Sequence, residues 1–334
     1  MHEEVADNPG SHWLLARVQI EIGDTLREAE QLFFDELQHP RACIRELLDH
    51  LANYRGKRLR PILLLLAGKA CGGLTPAHRT LAAVVEMIHT ATLVHDDVLD
   101  DAVVRRHVQT VNARWSNQTS VLLGDYLFTH AFHLTSSLGE AQACRTIGRA
   151  TNVVCAGELT QIAERGNFDL SEEQYLEIIE AKTAELCAVA CSLGAHYAGA
   201  GPAVAEALDG FGRALGIAFQ IADDLLDVLG SEEATGKSLG SDLRQHKLTL
   251  PLIYHLAQSP RSEAAEVRRL LAVSDATTRE ALEPRLEQSG AIHYARARAT
   301  EFVVAARQHL SCLPDSPAKQ LLEDIADFST RRTA

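Results

Sequence analysis

Apolar residues recur along most of this chain at three- and four-residue intervals, the repeat of α-helices that bury one stripe. Over Trp13–Gln38 the stripe comprises Leu14, Leu15, Val18, Ile20, Ile22, Leu26, Ala29, Leu32 and Phe33. Two segments, Leu81–Asp101 and Gly210–Leu229, are instead apolar nearly all round. Helices of that kind belong at the centre of a large bundle. Another helix is predicted over Glu172–Ala198, opened by the capping box Ser171-x-x-Gln174 and stopped at Gly199. The period-two alternation of strands is absent. Breaks at Gly72-Gly73, Gly139, Gly166-Asn167, Gly199–Pro202 and Ser259-Pro260 are short loops. Gly230–Gln245 is longer, rich in Gly, Ser and charge, and reads as a functional loop. The pattern predicts an all-α protein: a single domain over 1–334, with residues 1–11 as a flexible tail.

Composition supports this. Ala and Leu abound while aromatics are only 5% of the 334 residues, which favours helices over sheets. The formal net charge of −13 argues against a nucleic-acid partner, which would call for a basic face. Seven cysteines lie scattered without a C-x-x-C pair, as expected of reduced thiols in a cytoplasmic protein. Cys187 and Cys191 are one helical turn apart but have no further ligand at metal-binding spacing. The polar start of the chain lacks a signal pattern, and apolar runs such as Ile62–Ala67 are too short to span a bilayer.

Both all-round apolar helices end in the same acidic pattern: Asp96-Asp97-x-x-Asp100 and Asp223-Asp224-x-x-Asp227. On a helix, residues four apart lie about 40° apart around the axis, so Asp96 and Asp100 share a face, as do Asp223 and Asp227. Asp97 and Asp224 are turned aside by about 100° and read as supporting carboxylates. Acidic clusters on apolar helices repel one another unless cations compensate them. Two such ladders facing each other suit Mg²⁺, which keeps several waters and is completed by substrate phosphates.

Basic residues supply the other half. Gly56-Lys57-Arg58-Leu59-Arg60-Pro61 opens a helix with Pro at a favoured first-turn position, giving free N–H groups beside cations. Arg105-Arg106 follows the first acidic cluster, Lys182-Thr183 lies mid-helix, and Lys237 and Lys247 flank the Gly-rich loop. Together with the carboxylates they describe a site for two polyanions, one bridged by metal and one bound directly.

These motifs resemble, in order, those of the trans-isoprenyl diphosphate synthases. The resemblance rests on His95–Asp100 with Arg105-Arg106, on Gln220–Asp227 and on the G-K-R-x-R-P of Gly56–Pro61. Gly124-Asp125-Tyr126-Leu127, Gly157-Glu158-Leu159, Lys182-Thr183, Gly236-Lys237-x-x-Gly240-x-Asp242 and Lys247–Pro251 complete it. Departures are His107 and Gln109, where the family usually has Gly and Pro, and Ser238 in place of a frequent Pro. The resemblance implies a helical bundle around a central cavity, a homodimer, and a chain-elongation reaction. An allylic diphosphate would bind through Mg²⁺ held by Asp96, Asp100 and Asp223, with Arg105, Lys182, Lys237 and Lys247 on its phosphates. Thr183 and Gln220 would steady the carbocation. Isopentenyl diphosphate would be held by Gly56, Lys57, Arg60, His89 and Arg106. His89 lies two turns before Asp96 on nearly the same face.

Product length is expected to follow the route beneath the first aspartates. Ala91 and Thr92 are small, which leaves the upper route open, and Phe128, Phe132 or His133 would form a floor. A long-chain product of roughly six to ten isoprene units is the expectation by analogy, with a farnesyl or geranylgeranyl product as the alternative. A terpene cyclase would share the aspartates but lack the isopentenyl set. A non-catalytic synthase subunit would have lost the aspartates. A di-iron bundle would need a second partner for Glu86-x-x-His89, which is not found.

Overall fold

The computed structural model describes residues 9–54, 56–105, 107–229, 240–274 and 277–331, with side chains from residue 12 onward. Its first part runs as α1 (Pro9–Glu36), α2 (Ala42–Leu51), α3 (Leu59–Ala70) and α4 (Pro76–Leu99). A hairpin, β1 (Val104–Arg105) and β2 (Val108–Gln109), leads into α5 (Val111–Arg114), α6 (Asn117–Ser136) and α7 (Ala141–Ala163). Next come α8 (Glu172–Ile179), a π-helical turn over Glu180–Ala184, α9 (Glu185–Tyr197) and α10 (Pro202–Leu229). The chain ends with α11 (Ser241–Arg244), α12 (Leu250–Gln258), α13 (Arg261–Val273), α14 (Thr278–Gln288), α15 (Ala291–His309) and α16 (Pro317–Arg331).

The two all-round apolar segments lie where their pattern puts them. In α4, Leu81, Met87 and Ile88 are fully buried, each contributing about 2 kcal/mol of transfer free energy. α10 serves two apolar clusters. Leu208, Phe211 and Leu215 pack into one built with α1, α3, α4, α6 and α9. Ile221, Leu225 and Val228 pack into a second built with α8 and α12–α15. The acidic C-terminal ends of α4 and α10 are thus held on rigid, centrally packed helices.

Three local expectations are corrected. α1 begins at Pro9, inside the expected tail, because Pro suits a first helical turn. Among the described residues the all-α fold carries one hairpin, with Val104 opposite Gln109 and Arg105 opposite Val108. Its two-residue arms are too short to leave an alternation in the sequence. The predicted helix over Glu172–Ala198 is interrupted by the π turn, an insertion without a compositional signature. His107, at the hairpin tip, carries φ +64, the conformation that explains a glycine preference at this position.

Candidate active site

The first acidic cluster splits as the helical geometry requires. The Asp100 N–H donates to the Asp96 carbonyl at 2.8 Å, so the two stack one turn apart at the end of α4. Burial pushes the Asp96 carboxyl up, Lys182 pulls it down, and Glu158 and Asp100 raise it again. Asp97, only 1% exposed, turns away. It accepts from Arg105 Nε at 2.7 Å and Tyr54 Oη at 3.4 Å, while its backbone carbonyl accepts from Asn112. Asp97 therefore anchors the segment after α4. Arg105 is committed through Nε to that anchor, yet stands near enough to Asp96 to lower its pKa.

The second cluster separates into different roles. Asp224 is buried between Tyr175 Oη at 2.6 Å and Gln220 Nε2 at 2.7 Å, and burial drives its carboxyl well upward. Asp227 accepts from Ser241 N–H at 3.2 Å, Ser241 Oγ at 3.1 Å and Asp242 N–H at 3.2 Å. It ties the start of α11 back to the end of α10. That tie presents Asp242, whose carboxyl is pushed up to about 6 by burial and then by Asp227, with Lys247 and Lys182 opposing. Lys247 Nζ in turn reaches Asp100 Oδ1 at 3.2 Å, linking the segment before α12 to the end of α4; Arg165 reaches the same oxygen at 3.3 Å. Asp223, the remaining member, is half-buried.

Lys182 and Thr183 stand on the π turn, the widened register often found at functional sites. Two glycines let neighbouring helices approach that turn. A Cβ on Gly157 of α7 would lie 2.8 Å from Lys182 N, and one on Gly216 of α10 would lie 2.5 Å from Ala184 Cα. Lys182 Nζ lies 2.5 Å from Glu158 Oε2 and 2.9 Å from Gln161 Oε1. Burial alone would lower its pKa, but the charges of Asp96 and Glu158 win and raise it, so it stays cationic. Thr183 Oγ1 donates to Gln220 Oε1 at 2.8 Å. Since Gln220 gives its amide N–H to Asp224, its carbonyl oxygen is the end turned to Thr183.

A cleft is lined among others by Gln161, Tyr175, Lys182, Thr183, Gln220, Asp224, Asp242 and Lys247. Four residues expected on the allylic side, Lys182, Thr183, Gln220 and Lys247, are thereby gathered. Lys237, with Gly236, lies outside the described residues, as does Arg106.

The expected isopentenyl set does not line this cleft: Gly56 and Lys57 precede α3, Arg60 is in its first turn and His89 is on α4. Lys57 is exposed, and Gly56, Arg60 and His89 are half-buried. Arg60 Nε is buried without a hydrogen-bond partner among the described residues, a donor suited to an incoming anion. Between them, Arg58 is turned inward onto Glu86 at 2.7 Å and Glu30 at 3.1 Å. Of the chain-length candidates, Ala91 is fully buried and Thr92 bonds its hydroxyl to the His89 carbonyl. Phe128 lies 5.7 Å from the His95 ring and Phe132 packs on the first core cluster. His133 is exposed.

Among the described residues, no three His, Cys, Asp or Glu side chains converge as a ready-made metal cage. The site instead offers stacked carboxylates, and burial raises Asp96 and Asp242 even with Lys182 and Lys247 close by. That donor set fits a hard divalent ion held by one or two carboxylates and completed by phosphate oxygens and water.

Glu158, Gln161, Tyr175 and Asp242 are site residues that the motifs did not single out individually. Glu158 and Gln161 carry a helical three-residue spacing that could have paired them. Tyr175 leaves no such trace, being 49 positions from Asp224.

A helical fold with acidic helix ends and a cation-lined cleft between them defines a class of enzymes that act on diphosphate esters. Within it, the polyprenyl synthetase family pattern matches residues 41–288, and the chain belongs to that family. It is a prenyltransferase of the polyprenyl diphosphate synthase type. The octaprenyl diphosphate synthase of Escherichia coli is 37% identical over 301 residues, covering 89% of this chain and 93% of the relative. A short chain isoprenyl diphosphate synthase of Methanothermobacter thermautotrophicus is 34% identical, covering 94% and 99%. The crystal structure of a polyprenyl synthase from Caulobacter crescentus, complexed with calcium and isoprenyl diphosphate, superposes with a TM-score of 0.91 at 35% identity, covering 100% of both chains.

Proposed function

We propose that the protein condenses isopentenyl diphosphate with an allylic diphosphate to build a long trans-polyprenyl diphosphate. The observation that carries this reading is the gathering of Lys182, Thr183, Gln220 and Lys247 in one cleft beside the stacked Asp96 and Asp100. Asp96, Asp100 and Asp223 would hold Mg²⁺, whose positive charge would favour departure of the diphosphate. Lys182 and Lys247 add fixed positive charge beside the leaving group. The oxygens of Thr183 and Gln220 face the allylic carbon as it becomes a cation. Lys57, Arg60 and His89, with Arg106, hold isopentenyl diphosphate so that its double bond attacks that carbon. The departing diphosphate takes the proton, and the apolar walls keep water from the cation.

The reading includes a cytoplasmic homodimer built from one catalytic domain. The free state of all seven cysteines suits a reducing compartment, and no helix among the described residues is long and apolar enough to cross a membrane. Small residues at Ala91 and Thr92, and the octaprenyl relative, favour a long product; the short-chain relative at 34% identity supports the alternative. Incubation with Mg²⁺ and an allylic diphosphate alone separates elongation from cyclisation. The reading expects no turnover until isopentenyl diphosphate is added. Release of a hydrocarbon from the allylic substrate alone would favour a cyclase instead.

A further inference from the structure

Arg58 is the middle cation of Gly56–Pro61, flanked by two residues assigned to isopentenyl diphosphate, but it does not face outward with them. It occupies the left-handed region at φ 52, ψ 34, immediately before α3. A non-glycine residue holds that conformation only where its surroundings dictate it. Here the surroundings are specific. Arg58 Nη1 donates to Glu86 Oε1 at 2.7 Å and Nε donates to Glu30 Oε1 at 3.1 Å. Its guanidinium carbon lies 5.8 Å from the centre of the Phe33 ring. The pair with Glu86 is enclosed, with side chains 13% and 8% exposed.

Glu86 sits on α4, three residues before His89 and on the neighbouring helical position. One buried ion pair therefore joins the segment carrying Lys57 and Arg60 to the helix carrying His89. Desolvating two charges gains little net stability, since a packed apolar pair could serve as well. What the pair does provide is geometry. The fork of an arginine on two carboxylates from different helices fixes the backbone turn between Lys57 and Arg60.

We propose that Arg58 and Glu86 are positioning residues for the isopentenyl diphosphate site, setting Lys57, Arg60 and His89 in register without touching the substrate. This deepens the proposed function and rests on its assignment of these residues to isopentenyl diphosphate.

The test is two-substrate steady-state kinetics on the full-length enzyme with Mg²⁺, alongside thermal melting. Arg58→Ala is expected to raise KM for isopentenyl diphosphate by about tenfold or more, with KM for the allylic primer within about twofold. Glu86→Gln, which keeps the side-chain volume, should do the same more mildly and serves if Arg58→Ala does not fold. Arg58→Lys should not rescue, because an ammonium cannot span both carboxylates. Arg213→Ala disrupts a separate network with Asp209 and Glu185, and should lower the melting temperature without separating the two KM values. Equal changes in both KM values for Arg58→Ala and Glu86→Gln, or none, would overturn the proposal. Lys57→Ala tells the two levels apart. A raised KM there with no effect at Arg58 or Glu86 sinks the positioning role alone. An unchanged KM at Lys57 removes the underlying site assignment, and the proposal with it.

Discussion

Lys247 Nζ lies 3.2 Å from Asp100 Oδ1, joining residues that are 147 positions apart in sequence. One stands beyond the second acidic helix and the other caps the first. A cation that belongs to neither acidic cluster thus ties the segment beyond the second to the end of the first. Lys247→Ala is expected to lower kcat by about 100-fold, as loss of a fixed charge at a developing anion does. Steady-state rates with saturating Mg²⁺ check it; a fall in affinity alone, with kcat intact, would assign Lys247 to ground-state binding.

Asp227 accepts three hydrogen bonds from Ser241 and Asp242, a cap on the start of α11. Asp227→Ala should therefore act first on folding, costing about 1–2 kcal/mol, the range of a lost helix cap. Asp223→Ala should act first on metal dependence, shifting the Mg²⁺ concentration for half-maximal rate upward. Denaturant melts and metal titrations on the two variants distinguish these effects. Identical behaviour would return the second cluster to the symmetric role suggested by its sequence.

Burial and Asp227 together push Asp242 up to about 6. A carboxyl raised in the folded state binds its proton more tightly folded than unfolded. Its stabilising contribution is fully present below the unfolded value of about 4 and is lost as pH rises through about 6. In metal-free protein, Asp242→Asn should remove this component. The variant's advantage in melting temperature over the parent should grow between about pH 4 and pH 6. A difference independent of pH would show that Asp242 titrates normally.

Ala91 is fully buried on α4, nearly a turn and a half before Asp96. If the growing tail passes there, Ala91→Phe should shorten the product, at a packing cost of about 1–3 kcal/mol. Product sizing by mass spectrometry reads this, and an unchanged length would move the route elsewhere.

Much of this is legible in the sequence, for a physical reason. Helical periodicity is local, so α4 and α10 showed as central helices, and the four-residue spacing of Asp96 and Asp100 placed them on one face. What stayed hidden depends on chain segments meeting at a distance. Nothing local turns Arg105 onto Asp97, brings Tyr175 to Asp224, or bends Asp227 away to cap α11. The π turn beneath Lys182 has no composition of its own. It exists because Gly157 and Gly216 admit it between two helices.

The proposed reaction extends an allylic diphosphate by isopentenyl diphosphate, with inorganic diphosphate leaving as the new C–C bond forms. The direct measurement incubates the enzyme with Mg²⁺, isopentenyl diphosphate and an allylic primer, then determines product chain length by mass spectrometry. The account predicts primer-dependent elongation to roughly six to ten isoprene units. No elongation with any allylic primer would contradict it outright; a product ending at three or four units would contradict the long-chain assignment alone.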